Sequence, residues 1–262
     1  MLFTDQMNRQ VELLQPPQRI ISLVPSQTEL LFDLGLGEKV VGITKFCVHP
    51  KAQVKGIAKV GGTKDFKPEV IEQLKPDLII GNKEENDQVL IEALEQRYPV
   101  WMSDIYTLQD ALRMISGIGQ VTGAAEKAEA LVQDLQQKFA ALVPAFPPIP
   151  AAYFIWRKPY MAVGGHNFID DMLQCCGFDN VFKQIPRYPE LTIDAIQAAN
   201  PRLILLSSEP YPFQEKHLAE FQAMCPEAQI KIVDGEMFSW YGSRLALTVP
   251  YLHQLVKEVS QL

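Results

Sequence analysis

Long apolar runs are absent from this 262-residue sequence: stretches such as 20–24 and 78–80 fall far short of the roughly 20 residues that cross a bilayer. Membrane insertion is therefore not expected. Dense basic runs are missing too, and with a formal charge of −7 the chain lacks the electrostatic footprint of a nucleic-acid partner. Four cysteines, at 47, 175, 176 and 225, are too few for a disulfide scaffold and show no CxxC spacing, so buried free thiols are expected. The four histidines, at 49, 166, 217 and 253, are too scattered for a metal site read from spacing, and any metal ligand stays unknown. His217 and His253 fall on expected helices as surface groups. The GxSxG, HExxH, phosphate-loop and GxGxxG patterns are all missing. The first 18 residues lack the apolar core of a secretory leader, because Asp5, Gln6, Asn8, Arg9 and Gln10 interrupt them. A periplasmic or otherwise extracytoplasmic protein is expected if a leader was removed, and a cytoplasmic one if Met1 is the native start.

With 47% hydrophobic residues the chain can build a large core, and a weak internal repeat shows how that core is divided. EVIEQLKPDLIIG, beginning at Glu69, aligns with DAIQAANPRLILL, beginning at Asp194, 125 residues on. Each copy reads as an acid-opened helix, a proline stop at Pro76 or Pro201, and an unbroken apolar strand suited to a parallel sheet covered on both faces. A second strand follows in each half, ending at Asp104 and at Asp234, 130 residues apart. Each half also opens with a strand feeding a capped helix. In the first, Ser26 and Glu29 have the spacing of a capping box, and in the second Asn167 precedes Asp170 by three. Between the halves, Ala124, Ala128, Leu131, Leu135, Phe139 and Leu142 form a helical stripe, and a helix over 124–142 would span about 28 Å. The expected architecture is α/β: two pseudo-symmetric lobes with mostly parallel sheets, over 1–106 and 144–262, bridged by one long backbone helix within 107–143.

In parallel α/β sheets ligands sit beyond the carboxyl ends of the strands. The residues expected there include Phe46, His49, Glu84, Trp156, Tyr160, His166, Glu209, Trp240, Tyr241 and Arg244. Glu84 and Glu209 are equivalent under the repeat. They are read either as carboxylates facing a ligand or as helix caps. Flat aromatic rings beside polar groups suit a large planar or amphipathic ligand. Arg157, Arg187 and Arg244 would favour an anionic one. A hydrolase or transferase using Glu84, Glu209 and Asp234 is the alternative from another class.

RIISLVPSQTELLFDLGLGEKVVGIT, then GGT, PEVIEQLKPDLIIG, a long helix and GGHNFIDDMLQCCGFDNVF together resemble the periplasmic binding proteins that deliver cobalamin, siderophores or haem to ABC importers. The resemblance covers nearly the whole chain and is nearest to the cobalamin carriers. It implies a non-catalytic protein with no intrinsic cofactor, holding a corrinoid or other chelated metal complex in an interlobe cleft. Phe46, His49, Trp156, Tyr160 and Trp240 are its implied ligand contacts. It also implies that Glu69 and Asp194 dock the permease, with an aspartate where the family carries glutamate in the second position. A ferric-siderophore or haem carrier is the implied alternative.

Overall fold

A computed structural model describes residues 1–142, 144 and 146–259. Val143, the expected end of the helical segment, and the last residues of the 144–262 segment lie outside the described residues. The chain divides into two compact units: Met1–Ile105, Gln109–Gln136 and Trp240–Arg244 in the first, Tyr106–Leu108, Gln137–Ser239 and Leu245–Leu262 in the second. Among the described residues, no helix is long and apolar enough to cross a membrane.

The first unit opens with an antiparallel hairpin, β1 (Leu2–Thr4) and β2 (Gln10–Glu12). Its sheet is fully parallel and contains β3 (Ile20–Ser22), β4 (Val40–Ile43), β5 (Ala58–Lys59), β6 (Leu78–Asn82) and β7 (Val100–Ser103), in the order β5-β4-β3-β6-β7. All five residues of β6 are buried, as an unbroken apolar run requires when both faces are covered. Ile21 and Ile79 pack on one face with Phe66, Ile71, Ile91 and Leu94. Its helices are α1 (Pro25–Asp33), α2 (Pro68–Leu74) and α3 (Gln88–Glu95), with most of α4 (Leu108–Thr122) and α5 (Ala125–Ala140), whose first residue and last turn respectively fall in the second unit. The helical stretch of the middle is thus two helices, separated at Gly123, whose φ of 77° favours glycine. Gly119 lets them approach closely, since a Cβ there would lie 2.3 Å from the Ala128 Cβ. The longer, α5, has 16 residues and runs about 24 Å.

The expected capping box at Ser26 does not form. Val24 is the N-cap of α1 and caps with backbone only, because Pro25 takes the first helical position with its φ already set and no N–H to satisfy. Ser26 and Glu29 are therefore inside the helix and buried. The second half follows its expectation: Asn167 caps its helix, accepting from the Asp170 amide at 3.0 Å.

The second unit's sheet contains β8 (Ile149–Trp156), β9 (Tyr160–Ala162), β10 (Phe178–Asn180), β11 (Glu190–Leu191), β12 (Leu203–Ser207) and β13 (Gln229–Val233). Its order is β11-β9-β8-β12-β13, with β10 also on β8. β8, β10, β12 and β13 are parallel, and β9 runs antiparallel to β8. Around it lie α6 (Phe168–Cys175), α7 (Ile193–Ala199), α8 (Leu218–Met224), α9 (Glu236–Ser239) and α10 (Leu245–Val259). Phe154, Ile196, Ile204, Leu206 and Phe221 form its core.

The repeat survives as geometry. Both α2 and α7 and both β6 and β12 start and end 125 residues apart, and each helix buries a single isoleucine, Ile71 or Ile196. Both helices stop on a left-handed residue, Lys75 at φ 46° and Asn200 at φ 45°, before the proline. Left-handed backbone crowds a Cβ. Substituting Lys75→Gly or Asn200→Gly should each raise stability, by up to about 1 kcal/mol, with the larger gain at Lys75 because asparagine already tolerates this region. Urea unfolding of the two single variants measures both.

Candidate functional site

At the carboxyl edge of the first unit's sheet, the loop after β4 carries Phe46 and His49, and the segment 240–244 lies with it. Phe46 is half exposed, with the Lys45 ammonium 5.1 Å from its ring centre. The His49 and Trp240 rings meet edge to face at 5.6 Å, and the Arg244 guanidinium sits 4.8 Å from the Trp240 ring. Arg244 is buried and forks onto Glu29 of α1, Nε to Oε2 at 2.8 Å and Nη2 to Oε1 at 2.7 Å. Trp240 is thereby held from two sides, by an imidazole and by a guanidinium whose own position an ion pair fixes.

Beneath these rings a polar layer holds the loops. The Thr28 hydroxyl donates to the Cys47 thiol at 3.1 Å, and the Thr44 hydroxyl lies 3.2 Å from it. Burial pushes the Cys47 thiol up in pKa, so this cysteine is a packed floor for the 44–49 loop and not a thiolate. Asn82, at the end of β6, accepts from the amides of Glu84 and Glu85 at 2.8 and 3.0 Å. Lys83 pairs with Asp104 at 2.6 Å, and Lys45 with Asp65 at 3.7 Å.

The second unit's edge is built on the same plan. Ser207, at the end of β12 and equivalent to Asn82, accepts from the Glu209 amide at 3.3 Å. The Glu209 carboxylate accepts from the Ser239 hydroxyl at 2.9 Å. Trp156, at the tip of β8, is 39% exposed and meets Tyr211 edge to face at 5.6 Å. Tyr211 continues into Phe213 at 4.8 Å and Phe221, and Tyr160 packs on Phe221 at 5.6 Å. Arg157 forks onto Glu220 of α8, with Nη2 at 2.6 Å and Nε at 2.9 Å from Oε2, and the Tyr160 hydroxyl donates to the same carboxylate. The Arg157 hydrogen bond is the main cause holding the Glu220 carboxyl below its usual range.

His217, expected on a helix surface, is instead buried. Its Nδ1 accepts from the Gln214 amide at 2.9 Å and its Nε2 faces the Tyr211 hydroxyl at 3.4 Å. The short 3-10 turn 215–217 folds the ring back under the aromatic loop, which helical periodicity does not anticipate. Desolvation, then the charge of Arg157, lowers its pKa below the ordinary histidine value.

Phe46, His49, Trp240 and Arg244 thus gather on one edge, and Trp156 and Tyr160 on the other. Glu84 and Glu209 occupy equivalent, half-buried loop positions. Tyr241 is buried at 6% exposure, and His166 stands exposed in a separate turn at φ 59°. Glu69 and Asp194 are exposed in the first turns of α2 and α7. Glu29, Tyr211, His217 and Glu220 complete the two edges. Glu29 and Glu220 escape sequence reasoning because their partners lie 215 and 63 residues away, and Tyr211 and His217 because an irregular loop and a short 3-10 turn fold them inward. Among the described residues, no group of three His, Cys, Asp or Glu side chains converges to hold a metal.

Two α/β units, each ending its strands in an aromatic and hydrogen-bonding edge, define a binding protein of the two-unit class. The periplasmic binding protein family model matches residues 20–228, and the chain belongs to that family. The vitamin B12-binding protein of Vibrio campbellii is 29% identical over 197 residues, 73% of this chain and 71% of that protein. In fold, the chain is similar to the periplasmic haem-binding protein RhuT of Roseiflexus (TM-score 0.82, 21% identity, 93% of this chain and 99% of that one). It is also similar to the vitamin B12-binding protein BtuF of Vibrio cholerae (TM-score 0.77, 23% identity, 94% and 98%).

Glu29→Ala leaves Arg244 buried without its counter-ion and should cost about 3–5 kcal/mol in urea unfolding. The histidine gives a pH test. Because the folded pKa of His217 lies below its unfolded value, its contribution is fully present above about pH 6.5 and is lost as pH falls through the folded value. Stability measured across pH 8 to 5 should therefore decline, roughly from pH 6.5 downward, and His217→Gln should flatten that decline.

Proposed function

We propose that this chain is the substrate-binding component of an ABC importer, capturing a corrinoid or another chelated metal complex and delivering it unchanged to a permease. Its place of work is extracytoplasmic. The observation that carries the reading is the pair of tryptophan edges, an exposed Trp156 and a half-buried Trp240, in a chain that belongs to the periplasmic binding proteins. Flat rings offer apolar area to a macrocycle, and hydrogen-bonding groups beside them orient its substituents. The sequence similarity to vitamin B12-binding proteins supports the corrinoid over haem or a ferric siderophore, which stay as the second reading on the likeness of fold.

In this reading Phe46, His49, Trp240 and Arg244 form the ligand face of one unit and Trp156, Tyr160 and Glu209 that of the other. Glu84, His166 and Tyr241 belong to the surrounding shell. Catalysis by Glu84, Glu209 and Asp234 is disfavoured by the local work of two of them: Glu209 takes the Ser239 hydrogen bond, and Asp234 accepts from the Glu236 amide at 3.1 Å. Glu69 and Asp194, exposed at repeat-equivalent helix starts, would meet permease cations.

Titration of the protein with cyanocobalamin, cobinamide, haem and ferric siderophores, followed by tryptophan quenching, tests the reading. At least one should bind at about micromolar Kd or tighter, near −8 kcal/mol; if none does, the reading fails. Trp156→Ala and Trp240→Ala should each weaken that ligand by about tenfold. The charge-reversed pair Glu69→Lys and Asp194→Lys should leave ligand affinity intact and abolish stimulation of the importer's ATPase.

A further inference from the structure

Arginines beside an aromatic shelf ordinarily serve as anchors for carboxylates, and the fork of a guanidinium suits that role. Here the arginines beside the half-buried Trp240 and the exposed Trp156 are already taken by a carboxylate of their own unit. Arg244 is paired with Glu29, and Arg157, which directly follows Trp156, is paired with Glu220. The lysines of the first edge, Lys45 and Lys83, also face aspartates.

The Glu220 arrangement is the more informative of the two, because it lies at the surface of the shelf. The Arg157 and Glu220 side chains are 24% and 26% exposed, enough to meet a ligand and too buried for water to screen the pair fully. One carboxylate occupies the guanidinium at Nε and Nη2 and also receives the Tyr160 hydroxyl. An incoming carboxylate would have to displace Glu220 and then lie against its charge, which costs both a charge-assisted bond and like-charge repulsion. A ligand amide meets no such cost, since it can donate to the outer lone pairs of Glu220. The same contact fixes the chemistry of Tyr160. Its hydroxyl donates to Glu220 and its pKa is pushed up to about 12, chiefly by burial, so it presents a phenol and not the anionic oxygen that a ferric centre prefers.

We propose that Glu220 is a specificity-determining residue. By pairing Arg157 internally and holding Tyr160 as a donor, it closes the second unit's edge to carboxylate-bearing chelates and favours ligands that present amides and apolar surface. The inference rests on the reading of the chain as a chelate-binding protein.

Matched probes separate the two. Cyanocobalamin is compared with its monocarboxylic acid, in which one amide is hydrolysed, and haem with haem dimethyl ester, by tryptophan quenching at low salt and at about 0.5 M salt. The wild-type protein should prefer the uncharged member of whichever pair it binds, by about fivefold. Glu220→Gln keeps the shape, removes the charge, and should shift the ratio about tenfold toward the acid, a gain that high salt erases. Arg157→Gln should shift the ratio in the opposite sense, and the double variant should restore the wild-type ratio. A ratio unchanged in both single variants, with thermal unfolding intact, overturns the role of Glu220 and leaves the chelate reading standing. A wild-type protein that binds neither member of either pair overturns the role of Glu220, and the chelate reading falls with it when cobinamide and the ferric siderophores also fail to bind.

Discussion

Each unit depends on one fully buried internal strand, five residues without a polar side chain until its last position. β6 and β12 cannot face water on either side, so both faces must be covered, and the neighbouring strands run parallel to them, the pairing that such unbroken apolar runs suit. The last residue of each strand, Asn82 or Ser207, then turns its side chain to the amide two positions on. That single bond starts the loop that carries Glu84 or Glu209. Burial of the strand and polarity at its end together decide where these two candidate residues stand.

The two edges present aromatic surface whose neighbouring charges are mostly satisfied internally. Buried or half-buried arginines would be costly if unpaired, and Glu29 and Glu220 remove that cost before any ligand arrives. The same pairs fix rings: Arg244 lies against Trp240, and Glu220 takes both Arg157 and the Tyr160 hydroxyl. Rigid rings lose less freedom on binding, which suits capture of a large, flat ligand.

Much of this arrangement was legible beforehand. The repeat made Glu69 equivalent to Asp194 and Glu84 to Glu209, because a buried parallel strand after a short amphipathic helix leaves a strong apolar signature. The capping box at Ser26 misled, since Pro25 starts the helix earlier and frees Glu29 for a partner 215 residues away. His217 misled for a similar reason: a 3-10 turn buries a ring that helical spacing puts outside.

The sequence by itself determined the division into two similar α/β halves, the internal strands, the strand-end loops and the aromatic residues within them. Those features are local, set by periodicity, proline and runs of apolar side chains. Only the tertiary structure decided which charges are spent internally, because Glu29 with Arg244 and Glu220 with Arg157 are joined by folding across long stretches of chain. Sequence spacing carries no record of such pairs, and they are what turns apparent anion anchors into supports for aromatic rings.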